Sequence, residues 1–361
     1  MPDNKLRHPK RLLHLDLLRL MAILFVIFNH TSDRGYFLFA DSVGSWLYFP
    51  YMASSVLCKV AVPIFFMISG ALLLPKEESL SKLFSKRILR MVVVLVLISV
   101  PYYLWLHRAE GLSLSSFLTY IYGNSASTSL WYLYSYVALL LMMPFLRAMV
   151  KGMEEKDFRY LIAGYILVFG VLPCLEFCLW KDSVIIHESF NPVLFMTPNV
   201  FYALAGYYLE HVTDHQKNRK RRIGLGIGLT AVALAVTCFM THYQMTILGE
   251  CTADQLERFF NCFICIPAMT LYLIMKYASE KIRSVRLRKL LPVLGGTVFG
   301  IYLIEKFCRA LTNPVYVVAA PIAGSFIASL CWVFATFCLS FVIVAALKHT
   351  PVIQKLVNRF I

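Results

Sequence analysis

Three ionisable residues stand in one apolar run near the amino terminus: Asp16, Arg19 and His30 in HLDLLRLMAILFVIFNH. A charge in such a run costs about 2.5 to 3.5 kcal/mol on membrane-insertion scales, so a segment that keeps several must use them. At about 100° per residue, the step from Arg19 to His30 makes three turns plus about 20°. The two side chains therefore leave the same face of a helix, about 16 Å apart along its axis. Asp16, one turn before Arg19, is placed to neutralise it. Imidazole is the side chain best poised to take a proton from a hydroxyl near neutral pH, and it can also carry an acyl group itself. Asn29 beside it offers an amide to a developing oxyanion, although adjacent helical residues point about 100° apart. Read singly, Asp16 and Arg19 are an anchoring ion pair and His30 an interfacial histidine. Their alignment along one polar stripe favours a shared task.

The elements that must position this stripe are membrane helices. The 361 residues are 59% hydrophobic and 15% charged, with a mean hydropathy of +0.67. A soluble fold would have to hide more apolar surface than one or two domains enclose. The apolar runs approach the ~20 residues a helix needs to cross the hydrocarbon core. They predict ten spans: Leu12 to Phe28, Val56 to Leu74, Ile88 to Leu106, Leu130 to Leu146, Tyr160 to Trp180, Pro192 to Glu210, Ile223 to His242, Phe259 to Lys276, Val293 to Leu311 and Pro321 to Leu347. The expected fold is all-α and polytopic, one membrane domain over residues 1–361, with both termini in the cytoplasm. The first run carries Asp16 and Arg19 and lacks a small-residue cleavage site after His30, so it reads as a helix and not a signal peptide.

The basic residues support that topology. Most of the 35 lysines and arginines fall in alternate loops, as the positive-inside rule requires of cytoplasmic segments. Arg34, Lys59, Arg108, Lys181, Arg258, Lys306 and Arg309 fall on or near the other side. A net charge of +15 distributed in this way argues against a nucleic-acid partner, which would call for one stripe or tail. The bilayer is the expected partner instead.

Other features read structurally. All ten cysteines except Cys251 sit in or beside apolar spans, where cysteine behaves as a small hydrophobe. Cys262 and Cys265 form a lone CxxC without a second pair, so no metal is expected. Gly224 with Gly228 reads as a helix-packing face, and the aromatic-rich stretch Thr31 to Ser55 as an outward loop forming an interfacial belt.

The arrangement of Asp16, Arg19 and His30 resembles the opening of the integral-membrane acyltransferase family 3. VPIFFMISGALLL (Val62 to Leu74) and LFSKRILRM (Leu83 to Met91) are similar to that family's second helix and the start of its third. LWYLYSYVALLLMMPFL (Leu130 to Leu146), FYALAGYYLE (Phe201 to Glu210) and FGIYLIE (Phe299 to Glu305) resemble later segments in order. The resemblance implies a ten-helix O-acyltransferase that moves an acyl group, commonly acetyl from cytosolic acetyl-CoA, to a hydroxyl of a cell-surface polysaccharide or lipid-linked sugar. It also implies a multi-pass protein of a bacterial plasma or inner membrane. On it, His30 is the catalytic base, supported by Arg19 and Asp16. Arg87 and Arg90, with Lys86, would hold coenzyme phosphates, since guanidinium groups grip phosphate in a bidentate fork. Ser69 either lines the acyl path or satisfies itself on its own helix, and Trp131 stands at the expected substrate region. Where many relatives end the FGIYLI-like segment in histidine this chain has Glu305, a carboxylate expected at the level of His30; Glu176 is a second candidate for the same task. A transporter or flippase is the alternative, weakened by the lack of paired Gly/Pro-broken helices; a non-catalytic scaffold would have no use for the polar stripe.

Overall fold

The computed structural model describes residues 11–108, 111–124, 127–180, 197–214 and 218–349. Among them every regular element is helical. The principal helices are α1 (Leu13–Asn29), α2 (Tyr48–Cys58), α3 (Ala61–Leu73), α4 (Leu80–Leu106), α5 (Trp131–Gly152), α6 (Glu155–Trp180), α7 (Pro198–Tyr207), α8 (Arg219–Thr246), α9 (Cys265–Lys281), α10 (Val285–Ala323) and α11 (Ser325–His349). Seven stretches are long and apolar enough to cross a membrane: Tyr48–Leu73, α4, α5, α6, α8, α10 and α11. Of the remaining expected spans, α1 and α9 are helices of 17 residues. The sixth is α7 continued by a π turn through Val212; its first expected residues, Pro192 to Met196, lie outside the described residues.

The helix α1 occupies the middle of the bundle, packed against α3, α9, α10 and α11. Its faces explain why: Leu15, Leu18, Ala22, Ile23 and Ile27 are wholly or almost wholly buried, and so is Asp16. Close approach elsewhere depends on glycine. A Cβ at Gly70 of α3 would lie 1.8 Å from the carbonyl oxygen of Ala203, and one at Gly206 of α7 would lie 2.0 Å from that of Met67. The two backbones thus touch reciprocally, the small-residue packing by which membrane helices gain van der Waals contact without a hydrophobic drive.

Several boundaries differ from the sequence expectation. The second span starts at Tyr48, not Val56, with a break at Lys59–Val60. The preceding loop is no belt: Tyr36 and Phe39 are fully buried, both rings meet Phe260, and Lys59 lies over Tyr36 at 5.3 Å. Only Trp46 of this set is largely bare, at 84% exposure. The ninth span runs on to Ala323 through Pro314 and Pro321, and the chain reverses at Gly324, whose φ of +80° suits glycine. Bonds to α11 hold the prolonged stretch: Thr312 to Thr336 at 2.8 Å, and Trp332 Nε1 donating to the Arg309 carbonyl at 3.1 Å. The expected Gly224/Gly228 packing face is open, with nothing near either position; Gly226 is the glycine that packs, against Thr270.

Candidate functional site

The site is built along α1. Near its amino-terminal end, Arg19 Nη1 donates to Asp16 Oδ1 at 2.7 Å. Asp16 is shared: Arg11 Nε and Nη2 reach its two carboxylate oxygens at 2.9 and 3.0 Å, and Arg11 also donates to the Pro292 carbonyl at 2.6 Å. Gly295 of α10 sits against this carboxylate, where a Cβ would lie 2.4 Å from Oδ1. One anion between two guanidiniums leaves Arg19, still 24% exposed, with a net positive neighbourhood.

At the far end, His30 closes α1 as its C-cap residue. Its Nδ1 lies 2.7 Å from Oε1 of Glu305, which is completely buried on α10. The second oxygen of Glu305 faces Arg309 Nε at 3.5 Å, one turn further along. Two bonds pin this part of α10: Tyr302 donates to the Ser129 carbonyl at 2.5 Å, and Tyr102 donates to the Leu303 carbonyl at 3.1 Å. With Nδ1–H given to the carboxylate, the Nε2 lone pair is left to accept a proton. Glu176, the other carboxylate considered, is buried on α6 among residues that include Phe177. Asn29 is half-buried beside His30, one helical step round.

Between the two ends stands a file of tyrosines. Tyr132 meets Tyr302 edge-on at 5.6 Å and Tyr136 nearly in parallel at 5.9 Å. Ser69 donates to its own helix at the Phe65 carbonyl, 2.8 Å away. Tyr132 and Tyr136 are both half-buried. Of the two readings of Ser69, the structure shows the bond to its own helix, with the tyrosine file left to α5 and α10. Trp131 does not join it. Being the first residue of α5 and 49% exposed, it turns outward, and its neighbour Tyr132 takes the inward position.

The expected phosphate-binding residues have unequal surroundings. Arg87 forks onto Glu78, with Nη2 and Nε at 2.7 and 2.9 Å from its two oxygens, so its bidentate face is occupied by a carboxylate. Arg147 joins at 3.0 Å while donating to the Leu73 carbonyl. The Arg87 fork, helped by Arg147, holds the Glu78 carboxyl at about 2, well below the usual carboxylate range. Lys86 is exposed, and Arg90 is half-buried with an Nε–H that has no hydrogen-bond partner among the described residues. Beside Glu78 an open cavity of about 760 Å³ is lined by Lys76, Glu77, Glu78, Arg147, Lys151 and Tyr207 among others. Burial and the adjoining arginines push the Lys76 ammonium below its ordinary range.

Sequence reasoning missed Arg11, Glu78, Arg147 and the tyrosine file. The doubled positive charge around Asp16 and the WYLYSY alternation were the available signals.

An all-helical bundle of apolar spans around buried ionised groups defines a multi-pass membrane protein. The family model described as "Acyltransferase domain", of the acyltransferase 3 type, matches residues 12–349, so the chain belongs to that family and is a membrane acyltransferase. No curated protein and no solved structure matches it.

Proposed function

We propose that the protein moves an acyl group, acetyl as the simplest case, from cytosolic acyl-CoA through the membrane to a hydroxyl of a cell-surface polysaccharide or lipid-linked glycan. The observation that carries this reading is the His30–Glu305 contact, on the same central helix as the Arg19–Asp16 pair. On this reading ten helices cross a bacterial plasma or inner membrane, with α1, α7 and α9 completing the seven longer spans and both termini inside. At about 1.5 Å per residue, 17 residues extend about 26 Å, close to the ~30 Å hydrocarbon core.

The donor's phosphates meet the basic mouth, where Arg90 and Lys86 are available and Arg87 is released by exchanging Glu78 for phosphate. The thioester arm follows the file past Ser69, Tyr136 and Tyr132. At its end the acceptor hydroxyl gives its proton to His30 Nε2 as its oxygen bonds to the thioester carbon. The C–S bond then breaks, and His30 returns the proton to the departing coenzyme thiolate. Glu305 holds the ring in the required tautomer and stabilises the imidazolium formed in passing. Fixed tyrosine dipoles along the path require little reorganisation.

Purified His30→Ala should insert and fold as wild type, and lose at least about a hundredfold in acyl transfer. Retained turnover would remove His30 from the reaction.

A further inference from the structure

The positive-inside rule leaves a residue of exceptions. Of the seven cations outside the cytoplasmic pattern, Lys59 is paired with Glu257 at 2.7 Å and Arg258 with Glu250 at 3.1 Å. Lys181 lies outside the described residues and Arg108 ends the described part of a loop. The other three converge. Arg34 follows His30 by four residues; Lys306 and Arg309 follow Glu305 by one and four.

On α10 these positions form an arc. Arg309 stands about 40° round the helix from Glu305 and Lys306 about 100°, so both cations flank the same side of the carboxylate. Arg309 lies 3.5 Å from Glu305. Lys306 donates to the Ser127 hydroxyl at 3.1 Å, and Arg34 donates to the Asn313 side chain. The ring of Trp332 draws two of them together, with Arg34 at 5.8 Å and Arg309 at 5.9 Å from its centre. Among the described residues no carboxylate pairs with Lys306 or Arg34, and Asp33, exposed beside Arg34, forms no ion pair with it. Lys306 and Arg309 thus flank a single carboxylate, Glu305, whose other oxygen is committed to His30, and Arg34 meets Arg309 across the Trp332 ring. Such a cluster repels itself where solvent is scarce, and a ligand anion relieves it.

Resting on the acyltransferase reading, we propose that the acceptor is an acidic glycan, whose carboxylate or phosphate docks among Lys306, Arg309 and Arg34 next to the hydroxyl being acylated. The cations fix the register of the sugar on His30, and neutral glycans are discriminated against because they leave the cluster unpaired.

The test uses the full-length protein in detergent with acetyl-CoA, scoring acetyl transferred to envelope glycan extracted from cells that make it. The glycan is supplied untreated, with its carboxylates methyl-esterified, or with its phosphodiesters removed by hydrofluoric acid. One of the two neutralisations should lower kcat/KM by about tenfold or more, the loss of one charge-assisted contact, and which one names the anion. Lys306→Gln should raise the KM for untreated glycan by about tenfold with kcat and the KM for acetyl-CoA held, and Lys306→Arg should restore it. If both neutralised glycans are acylated as well as the untreated one, the acidic-acceptor inference falls and the transfer reading stands. If the Lys306→Gln defect appears in the KM for acetyl-CoA, the cations serve the donor and the inference falls as well. If no form of the glycan is acylated, the acyltransferase reading itself fails for glycan acceptors, and the inference with it.

Discussion

An imidazole held on one nitrogen by a fully buried carboxylate has its ring orientation fixed. That is the state of His30 against Glu305. The carboxylate touches no reacting atom on the proposed path and acts by positioning the ring. Glu305→Gln keeps the shape of the contact but loses the charge that stabilises the imidazolium. We expect kcat to fall by about a hundredfold or more while the KM for acetyl-CoA stays within about twofold, measured on protein that elutes as wild type. A matching rise in that KM would show Glu305 acting on donor binding. At this scale the sequence was most informative where partners share one helix. Asp16, Arg19 and His30 lie on a single face, and helical geometry alone aligns them. Glu78 with Arg147, and Tyr132 with Tyr302, were illegible because each pairing joins separate elements, a loop to a helix in the first case and two helices in the second, and spacing along the chain carries no information about which elements become neighbours.

Elements reach their positions through surfaces as much as through side-chain chemistry. The α3–α7 contact rests on Gly70 and Gly206, each meeting the other helix's backbone. Gly206→Ala should cost about 1–3 kcal/mol of overpacking and lower the thermal transition in detergent. Gly224→Ala, with open space around it, should leave that transition unchanged or raise it. An unaltered melt for Gly206→Ala would mean that α3 and α7 are not in close contact. The existence of the helices was readable from hydropathy, and α1 falls near the expected limits, as do the end of α4 at Leu106 and the start of α5 at Trp131, whereas α4 starts at Leu80, not Ile88, and α5 ends at Gly152, not Leu146. Their ends were less so. Thr312-Asn313-Pro314 reads as a stop, but cross-links from α11 through Thr336 and Trp332 carry α10 beyond it. The aromatics of the first outer loop read as a lipid-facing belt because hydrophobicity alone does not distinguish lipid from the interior of a bundle, and Tyr36 and Phe39 turn inward onto Phe260.

For the molecule as a whole, charge alternation was the most legible property, and its exceptions carried as much meaning as its rule. Most cations fall in alternate loops; three of the seven that break the pattern, Arg34, Lys306 and Arg309, stand within four residues of the proposed base or of Glu305. What hydropathy could not give was the route between the two ends. That route depends on one central helix carrying a cation at one level and an imidazole at another, with neighbouring helices supplying tyrosines at the intermediate depths. The central claim is that donor and acceptor meet through this route from opposite compartments. It is tested most directly in sealed proteoliposomes of uniform orientation, with labelled acetyl-CoA confined to the face bearing the basic loops and envelope glycan to the other. The account predicts label in the glycan, lost on His30→Ala; label appearing only when both reagents share one compartment would contradict it.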